Sequence, residues 1–139
     1  YTADGGANWS AITGPAAQAA DEIEALWLID ENRAWIGYSD GQLWYTVNGG
    51  TTWTQRTLPV TFTIIDRIKF YNPMIGFLIG DAAGPVGHLL RTIDGGYTWQ
   101  EVTLNTNVGL EDLFVCDPNH AFVAGPVQDG TGYIGEVFA

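Results

Sequence analysis

A short segment that ends in tryptophan occurs three times in the chain, and its spacing constrains the fold more than any other feature. Each copy consists of Thr, any residue, Asp or Asn, two Gly, two further residues and Trp, and the copies begin at Thr2, Thr46 and Thr92. The intervals between them are 44 and 46 residues. A fixed period of about 40–50 residues is typical of repeat architectures such as β-propellers. The repeat therefore predicts an array of similar β-sheet units.

The residues shared by the three copies are those of a tight hairpin turn. We call the copies the first, second and third Gly-Gly turns; they span residues 2–9, 46–53 and 92–99. Asp-Gly and Asn-Gly between strand-like runs favour a hairpin because these residues tolerate positive φ. The Asp or Asn side chain can accept hydrogen bonds from the N–H groups of the turn, and the Thr hydroxyl can do the same. The predicted structural residues are Thr2, Asp4, Gly6, Trp9, Thr46, Asn48, Gly50, Trp53, Thr92, Asp94, Gly96 and Trp99.

The segments around the turns have the lengths and compositions of β-strands. The predicted strands cover residues 23–29, 34–38, 42–46 and 52–57, then 67–71, 76–80, 88–92 and 98–103, and finally 113–116, 121–125 and 133–139. Residues 1–12 are expected to hold the end of one strand and an outgoing strand through Trp9, and residues 23–29 are expected to be buried on both faces. In each turn the Trp should lie on the outgoing strand and pack into a core.

These elements predict an all-β propeller segment of about three four-stranded antiparallel blades. The segment is one domain over residues 1–139, with repeat units of about 1–44, 45–90 and 91–139. Because propellers contain about four to eight blades, three blades would leave the faces of the terminal sheets uncovered, including Trp9 and Phe122. Further blades from the same chain, or a second copy in a homo-oligomer, are expected to cover them.

A second recurrence supports the same register. Asp30, Asn72 and Asp117 each stand four positions before a small residue that is followed directly by an aromatic. An acidic residue stands six positions before each of the three. These acidic residues are Glu24, Asp66 and Glu111. Each is predicted near the start of an innermost strand, at the mouth of a central channel. Carboxylates that converge there could hold Ca²⁺ through their oxygen atoms or contact a partner; alternatively they are solvated strand ends of an acidic protein.

The charge balance and the lack of a long apolar run each argue against one class of partner. The net charge is −11, with five Lys and Arg against sixteen Asp and Glu. Nucleic acid binding needs basic patches that neutralise phosphate, so no nucleic acid partner is expected. The chain also contains no run of eighteen apolar residues, so no membrane insertion is expected. The lone Cys116 is predicted to be a small buried hydrophobic residue.

The Gly-Gly turns resemble the Asp-box, also called the bacterial neuraminidase repeat, whose form is Ser/Thr-x-Asp-x-Gly-x-Thr-Trp. The third turn matches at every defined position, the second has Asn48 in place of Asp, and the first has Asn8 in place of the late Thr. The resemblance implies a β-propeller in which the boxes lie on blade turns away from the active face and have a structural role.

Over nearly the whole chain, the plan of the repeat resembles the non-catalytic propellers of the photosystem II assembly-factor-like group and sortilin-like propellers. It is also similar to repeats in secreted bacterial or viral surface proteins. The resemblance implies a binding or structural module for another protein or a glycan, with an extracellular, cell-surface or virion-surface location. The photosynthetic branch uses a basic, arginine-rich face, whereas this chain is acidic.

The alternative is a glycan-active propeller hydrolase of sialidase or xyloglucanase type. Such enzymes need paired carboxylates for acid/base work, and Asp40, Asp81 and Asp129 are predicted in loops on the functional face. The arginines do not match a sialidase triad, since Arg33 is predicted in a turn and Arg91 beside a Gly-Gly turn. No catalytic residue is assigned within this segment, and no cofactor is required.

Overall fold

The strands of the chain form antiparallel meanders, as the alternation of apolar runs and turn residues predicts. The computed structural model describes residues 1–15, 21–84, 86–104, 109–128 and 133–138. Within these ranges the regular structure is entirely β, in two four-stranded sheets and one three-stranded sheet. The prediction of an all-β chain built from four-stranded antiparallel units is therefore confirmed.

Sheet A contains β1 (Ile23–Leu28), β2 (Ala34–Tyr38), β3 (Leu43–Thr46) and β4 (Thr54–Arg56). Sheet B contains β5 (Phe62–Phe70), β6 (Gly76–Ala82), β7 (Gly87–Thr92) and β8 (Gln100–Val102). Sheet C contains β9 (Asp112–Val115), β10 (Ala121–Gln128) and β11 (Tyr133–Phe138). In every sheet, each strand pairs with the strand that follows it in the sequence.

The sheets pack through their first strands, since β1 lies against β5 and β5 lies against β9. Two buried clusters fill the spaces between the sheets. Sheets A and B share a cluster that contains Trp35, Leu43, Ile65, Leu78 and Trp99. Sheets B and C share a cluster that contains Ile79, Leu89, Leu110, Leu113 and Val123. Each interface therefore joins a face of one sheet to a face of the next, which is the arrangement of adjacent propeller blades.

Trp35 is the centre of the aromatic packing between sheets A and B. Its ring stacks on Tyr45 at a centroid distance of 5.0 Å and on Phe70 at 6.2 Å. Trp99 meets Trp35 edge to face at 6.2 Å. Offset and edge-to-face pairs at these distances add about 0.5–1.5 kcal/mol each beyond burial. The third Gly-Gly turn is thereby anchored to the preceding sheet through its Trp.

Two strand predictions near the N-terminus were wrong. Residues 1–15 contain no strand; Tyr1 and Ser10 exchange one pair of backbone hydrogen bonds at 2.8 and 2.9 Å, and no neighbouring strand extends that pair into a ladder. β1 was expected to be buried on both faces, but its side chains alternate, and Leu26 and Leu28 are both exposed. The reason is that β1 has sheet B on one face only.

Other strand limits also differ from the prediction. β5 begins five residues earlier, at Phe62, and contains two irregularities in its pairing with β6 that interrupt the alternation of its apolar residues. β10 continues through Gln128, where a loop was predicted.

Cys116 is exposed rather than buried, because it lies at the start of the β9–β10 turn and not within the strand. No helix in the described ranges has the length and apolarity that a membrane crossing needs.

Candidate functional site

The third Gly-Gly turn is closed by the side chains of its Thr and Asp. The Thr92 hydroxyl donates to Asp94 Oδ1 at 2.8 Å and accepts from the Gly96 N–H at 2.9 Å. Asp94 Oδ1 accepts from the Thr98 N–H at 2.9 Å, and Oδ2 accepts from the Thr98 hydroxyl at 2.6 Å. Burial acts to raise the pKa of Asp94, but the hydrogen bonds from Thr98 and Thr92 outweigh it and lower the pKa. The carboxylate is thus fully engaged inside its own turn.

The other two turns repeat this geometry with different partners. In the second turn, Asn48 Oδ1 accepts from the Thr52 N–H at 2.9 Å while its Nδ2 donates to the Thr52 hydroxyl at 2.9 Å. In the first turn, Asn8 takes the place of the late Thr and donates its Nδ2 to Asp4 Oδ2 at 2.7 Å. The hydrogen bonds from Asn8 and Thr2 lower the pKa of Asp4 to about 2. An Asn at either position can therefore complete the turn, because its amide supplies both a donor and an acceptor.

Both glycines of each turn occupy the left-handed region of backbone space. Gly95 and Gly96 have φ of 74° and 86°, and the equivalent pairs in the other turns range from 66° to 96°. Residues with a Cβ are disfavoured in this region because the Cβ clashes with the following carbonyl oxygen. The Gly-Gly pair is therefore a requirement of the turn's shape.

The three tryptophans that end the Gly-Gly turns differ in burial. Trp99 is buried between sheets A and B with 6% of its surface exposed, whereas Trp9 is 73% exposed. Trp53 is half-buried and donates its Nε1–H to the Thr13 carbonyl at 3.0 Å. Trp9 does not pack into a core, as expected for a residue at an uncovered end of the arc; the described residues place no preceding sheet beside it. Trp53 and Trp99 stand one residue before β4 and β8 rather than within them.

We expect Asp94→Ala to lower the free energy of unfolding by about 1–3 kcal/mol, because Thr98 and Thr92 lose the acceptor that satisfies them. Urea denaturation of the variant measures this loss. Asp94→Asn is the matched control, since the second turn already functions with Asn48 at this position. A loss as large for Asp94→Asn as for Asp94→Ala would contradict this hydrogen-bonding role.

The residues of the second recurrence close the β-hairpins at the same end of the sheets. Asp30 Oδ1 accepts from the N–H groups of Asn32 and Arg33, and Asn72 and Asp117 make the equivalent pairs of bonds in sheets B and C. The Gly49 N–H donates to the Asn32 carbonyl at 2.9 Å, which ties a Gly-Gly turn to the neighbouring hairpin turn. We call this the turn end of the sheets. The β2–β3 connection and the start of β1 meet at the opposite end, where the Ser39 N–H donates to the Glu22 carbonyl.

The three recurring acidic residues lie on or beside the first strands, toward the end opposite the turns. Glu24 is the second residue of β1, Asp66 lies within β5, and Glu111 immediately precedes β9. Burial raises the pKa of Asp66 to about 6, and the nearby carboxylates of Asp81, Glu24 and Glu111 add to this shift while Arg67 opposes it. Asp66 Oδ2 is buried and has no hydrogen-bond partner in the described part of the chain. We call Glu24, Asp66, Asp81 and Glu111 the acidic patch.

The acidic patch is not arranged as a metal site. Among the residues that the structure describes, no three or more His, Cys, Asp or Glu are grouped so that they could hold a metal ion. Glu24 and Glu111 are exposed and Asp66 is half-buried. The geometry therefore gives the calcium hypothesis no support, and it leaves a carboxylate surface that a positively charged group can approach.

Of the carboxylates proposed for the hydrolase alternative, Asp40 and Asp81 lie in the described part of the chain, and neither lines a described cavity. Asp81 lies in β6 rather than in a loop, and its Oδ1 accepts from the Leu110 N–H at 3.3 Å. Asp40 lies in the β2–β3 turn and accepts hydrogen bonds from Gln42. Asp129 is outside the described residues. Of the two cavities described, one contains Asp94 as its sole carboxylate and the other contains none.

The first of these cavities lies at the turn end between sheets A and B, and sequence reasoning missed it. It has a volume of about 250 Å³. Arg56 from β4 lies over the rings of Tyr45 and Tyr97, at 4.2 and 4.8 Å from their centroids. These three residues come from two different repeat units, and Tyr97 occupies a variable position of the third Gly-Gly turn. Only the packing of the sheets brings them together, so the sequence carried no signal for this site.

Two solved structures resemble this fold. The chain superposes on a structure described as YCF48 bound to D1 peptide with a TM-score of 0.64 and 21% identity, over 83% of this chain and 40% of that one. It superposes on YCF48 from Cyanidioschyzon merolae with a TM-score of 0.63 and 19% identity, over 84% of this chain and 39% of that one. The chain thus spans about two fifths of their length. No family profile and no curated protein sequence matches it.

These similarities define the class of fold. The antiparallel meanders, their packing through first strands and the likeness to YCF48 structures together identify a β-propeller segment. The predicted fold class is therefore confirmed. At 21% identity or below, the likeness concerns the fold and says nothing of the partner.

Proposed function

We propose that the chain is part of a non-catalytic propeller that binds another protein, and that its Gly-Gly turns are Asp-boxes with a structural role. The observation that supports binding is the likeness to a YCF48 structure solved with a peptide of D1. That peptide is a ligand of the YCF48 chain; the partner of the present chain is to be argued from its own surface. The turns support a structural role because their carboxylates and amides are used within the turn itself.

The acidic patch is the surface that we assign to the partner. It lies at the end away from the Gly-Gly turns, and burial together with three neighbouring carboxylates holds the pKa of Asp66 near 6. Repulsion among these carboxylates is relieved when a cation binds beside them. The complementary partner is a protein segment that carries Lys or Arg side chains.

We further propose that more sheets cover the two open faces of the arc. Leu26 and Leu28 are each 58% exposed on the free face of sheet A, and Phe114 and Phe122 are 65% and 42% exposed on sheet C. Exposed apolar surface of this kind marks an interaction face. Blades of the same polypeptide, or a second copy of the chain, would bury it, in line with the greater length of the YCF48 structures.

Binding of a positively charged segment is expected to tighten with pH. Asp66 is neutral below its pKa of about 6 and charged above it, so a cationic ligand gains an attractive charge as the pH rises. We expect the affinity for a blocked peptide of alternating lysine and glycine to rise several-fold between about pH 5 and about pH 7.5. Calorimetric titration at constant ionic strength measures it, and Asp66→Asn should weaken the rise.

The control for this experiment separates the patch from the overall negative charge. Glu111→Gln removes one charge from the patch, whereas Glu31→Gln removes one from an exposed position at the turn end. We expect Glu111→Gln to weaken binding and Glu31→Gln to leave it nearly unchanged. Equal losses in the two variants would show that the peptide responds to net charge alone, and the acidic patch would lose its assignment.

A further inference from the structure

The cavity between sheets A and B at the turn end combines arginine, tyrosine and exposed apolar side chains. Its base is formed by Trp35 and Tyr45, and its rim by Val47, Met74 and Tyr97. The three rim residues are 55%, 52% and 62% exposed, so the cavity opens to solvent through an apolar edge. Tyr, Trp, Met and Arg are the residue types enriched where proteins bind one another. This composition sets the cavity apart from the acidic patch at the opposite end of the sheets.

Arg56 is the residue that gives the cavity its chemical preference. Its guanidinium lies over the rings of Tyr45 and Tyr97, and both contacts attract the cation and restrict its position. Within the described residues, Arg56 makes no ion pair, and its Nε atom is buried without a hydrogen-bond partner. Arg33, which also lines the cavity, is paired with Asp30 at 2.8 Å. The cavity therefore contains an arginine that makes no ion pair with a carboxylate of the described residues.

A carboxylate is the anion that suits this position. A guanidinium edge donates two parallel hydrogen bonds to a carboxylate, and the contacts of Arg56 with Tyr45 and Tyr97 restrict where that edge can lie. A phosphate would bring more negative charge close to Asp94, which also lines the cavity. The volume of about 250 Å³ is below the range of about 300–1,000 Å³ that is usual for small-molecule sites. The space therefore fits one or two side chains of a partner protein.

The hydrogen-bond donors around the cavity favour a carboxylate from an acidic side chain over one from a C-terminus. Capture of a C-terminal carboxylate commonly uses free backbone N–H groups. Here the turn beside the cavity has none to offer at Gly95 and Gly96, because these groups donate to the Met74 carbonyl and the Thr92 hydroxyl. Arginine side chains that act without free backbone N–H groups are typical of sites that recognise acidic side chains within a peptide segment.

We propose that this cavity binds an aspartate or glutamate side chain of a partner protein, with a neighbouring apolar side chain on the rim. The inference rests on the proposed protein-binding function and adds a second contact of opposite charge to the acidic patch. Arg56 receives the carboxylate, and Val47, Met74 and Tyr97 contact the apolar neighbour. A partner that carries a basic and an acidic–apolar segment could occupy both ends of the sheets.

The test uses the full chain and three short peptides followed by NMR of nitrogen-labelled protein. The first peptide is blocked at both ends and contains glutamate followed by leucine; the second replaces glutamate with glutamine; the third keeps glutamine and has a free C-terminus. We expect the first peptide to shift the amide signals of Val47, Gly95 and Tyr97 in a saturable manner. The glutamine peptide and the Arg56→Gln variant should each bind at least about tenfold more weakly.

Two further variants keep the result interpretable. Tyr97→Ala removes an exposed side chain and should weaken binding without disturbing the fold, whereas Lys69→Gln removes one positive charge outside the cavity and should bind as the parent does. Unsaturable shifts, equal binding of the glutamine peptide, or full binding by Arg56→Gln would overturn the proposal. Selective binding of the free C-terminus would overturn the side-chain assignment. If the lysine peptide still bound the acidic patch, any of these failures would leave the proposed function standing.

Discussion

Trp99→Ala is expected to lower the free energy of unfolding by about 3–5 kcal/mol, which is the usual cost of deleting a buried Trp. Trp99 has 6% of its surface exposed and contacts Trp35 and Phe70 edge to face at 6.2 and 6.0 Å. Its removal opens a void between sheets A and B, which the surrounding aromatic rings cannot fill without leaving their own contacts. Urea denaturation followed by far-ultraviolet circular dichroism measures the loss.

Trp9→Ala is the matched control because it occupies the same position of the first Gly-Gly turn. Trp9 is 73% exposed, and the protein contact of its indole N–H is the Gly6 carbonyl of its own turn at 3.1 Å. We expect a loss of less than about 0.5 kcal/mol, as for other surface substitutions. Similar losses for Trp9→Ala and Trp99→Ala would mean that the motif stabilises the turn locally and that the contact between sheets contributes little.

The contrast between Trp9 and Trp99 shows how far the repeat could be used for prediction. The eight-residue pattern determines the local turn, because Thr, Asp or Asn and two Gly satisfy one another within it. Burial of the Trp depends on the preceding sheet, which exists for Trp99 and is not present for Trp9 in the described chain. The period of the repeat predicted the sheets, whereas no single copy contained the information on which Trp would be covered.

The two candidate sites also differ in how far the sequence could predict them. The recurrence of Glu24, Asp66 and Glu111 predicted that carboxylates would gather; in the structure, burial raises the pKa of Asp66, and Glu24 and Glu111 add to the shift. The recurrence could not predict that Asp81 joins them, because Asp81 lies at the end of β6, in a segment that was expected to be a loop. The cavity around Arg56 was beyond sequence reasoning, since its residues occupy unequal positions in separate repeats.

Gly96→Ala is the second substitution with a large expected effect, and two separate costs add in it. Gly96 has φ of 86°, where a residue with a Cβ pays about 1–2 kcal/mol. A Cβ at this position would also overlap the indole ring of Trp35. Trp35 is 3% exposed and is held by Tyr45, Phe70 and Trp99, so its ring cannot move aside freely. Overpacking of this kind costs about 1–3 kcal/mol more.

Two glycines of the same chain separate the backbone cost from the packing cost. Gly6 has φ of 96°, and the nearest atoms to a Cβ there are 3.9 Å away on Trp9. Gly84 has φ of 105° and open space around it. Gly6→Ala and Gly84→Ala should therefore cost only the backbone term, about 1–2 kcal/mol at most, in the urea denaturation that measures Gly96→Ala. If all three variants lost the same stability, the approach of the Gly-Gly turn to Trp35 would not limit the residue at this position. If Gly96→Ala alone lowered the free energy of unfolding further, the second Gly of the turn would be required both for its backbone conformation and for the close contact between adjacent blades.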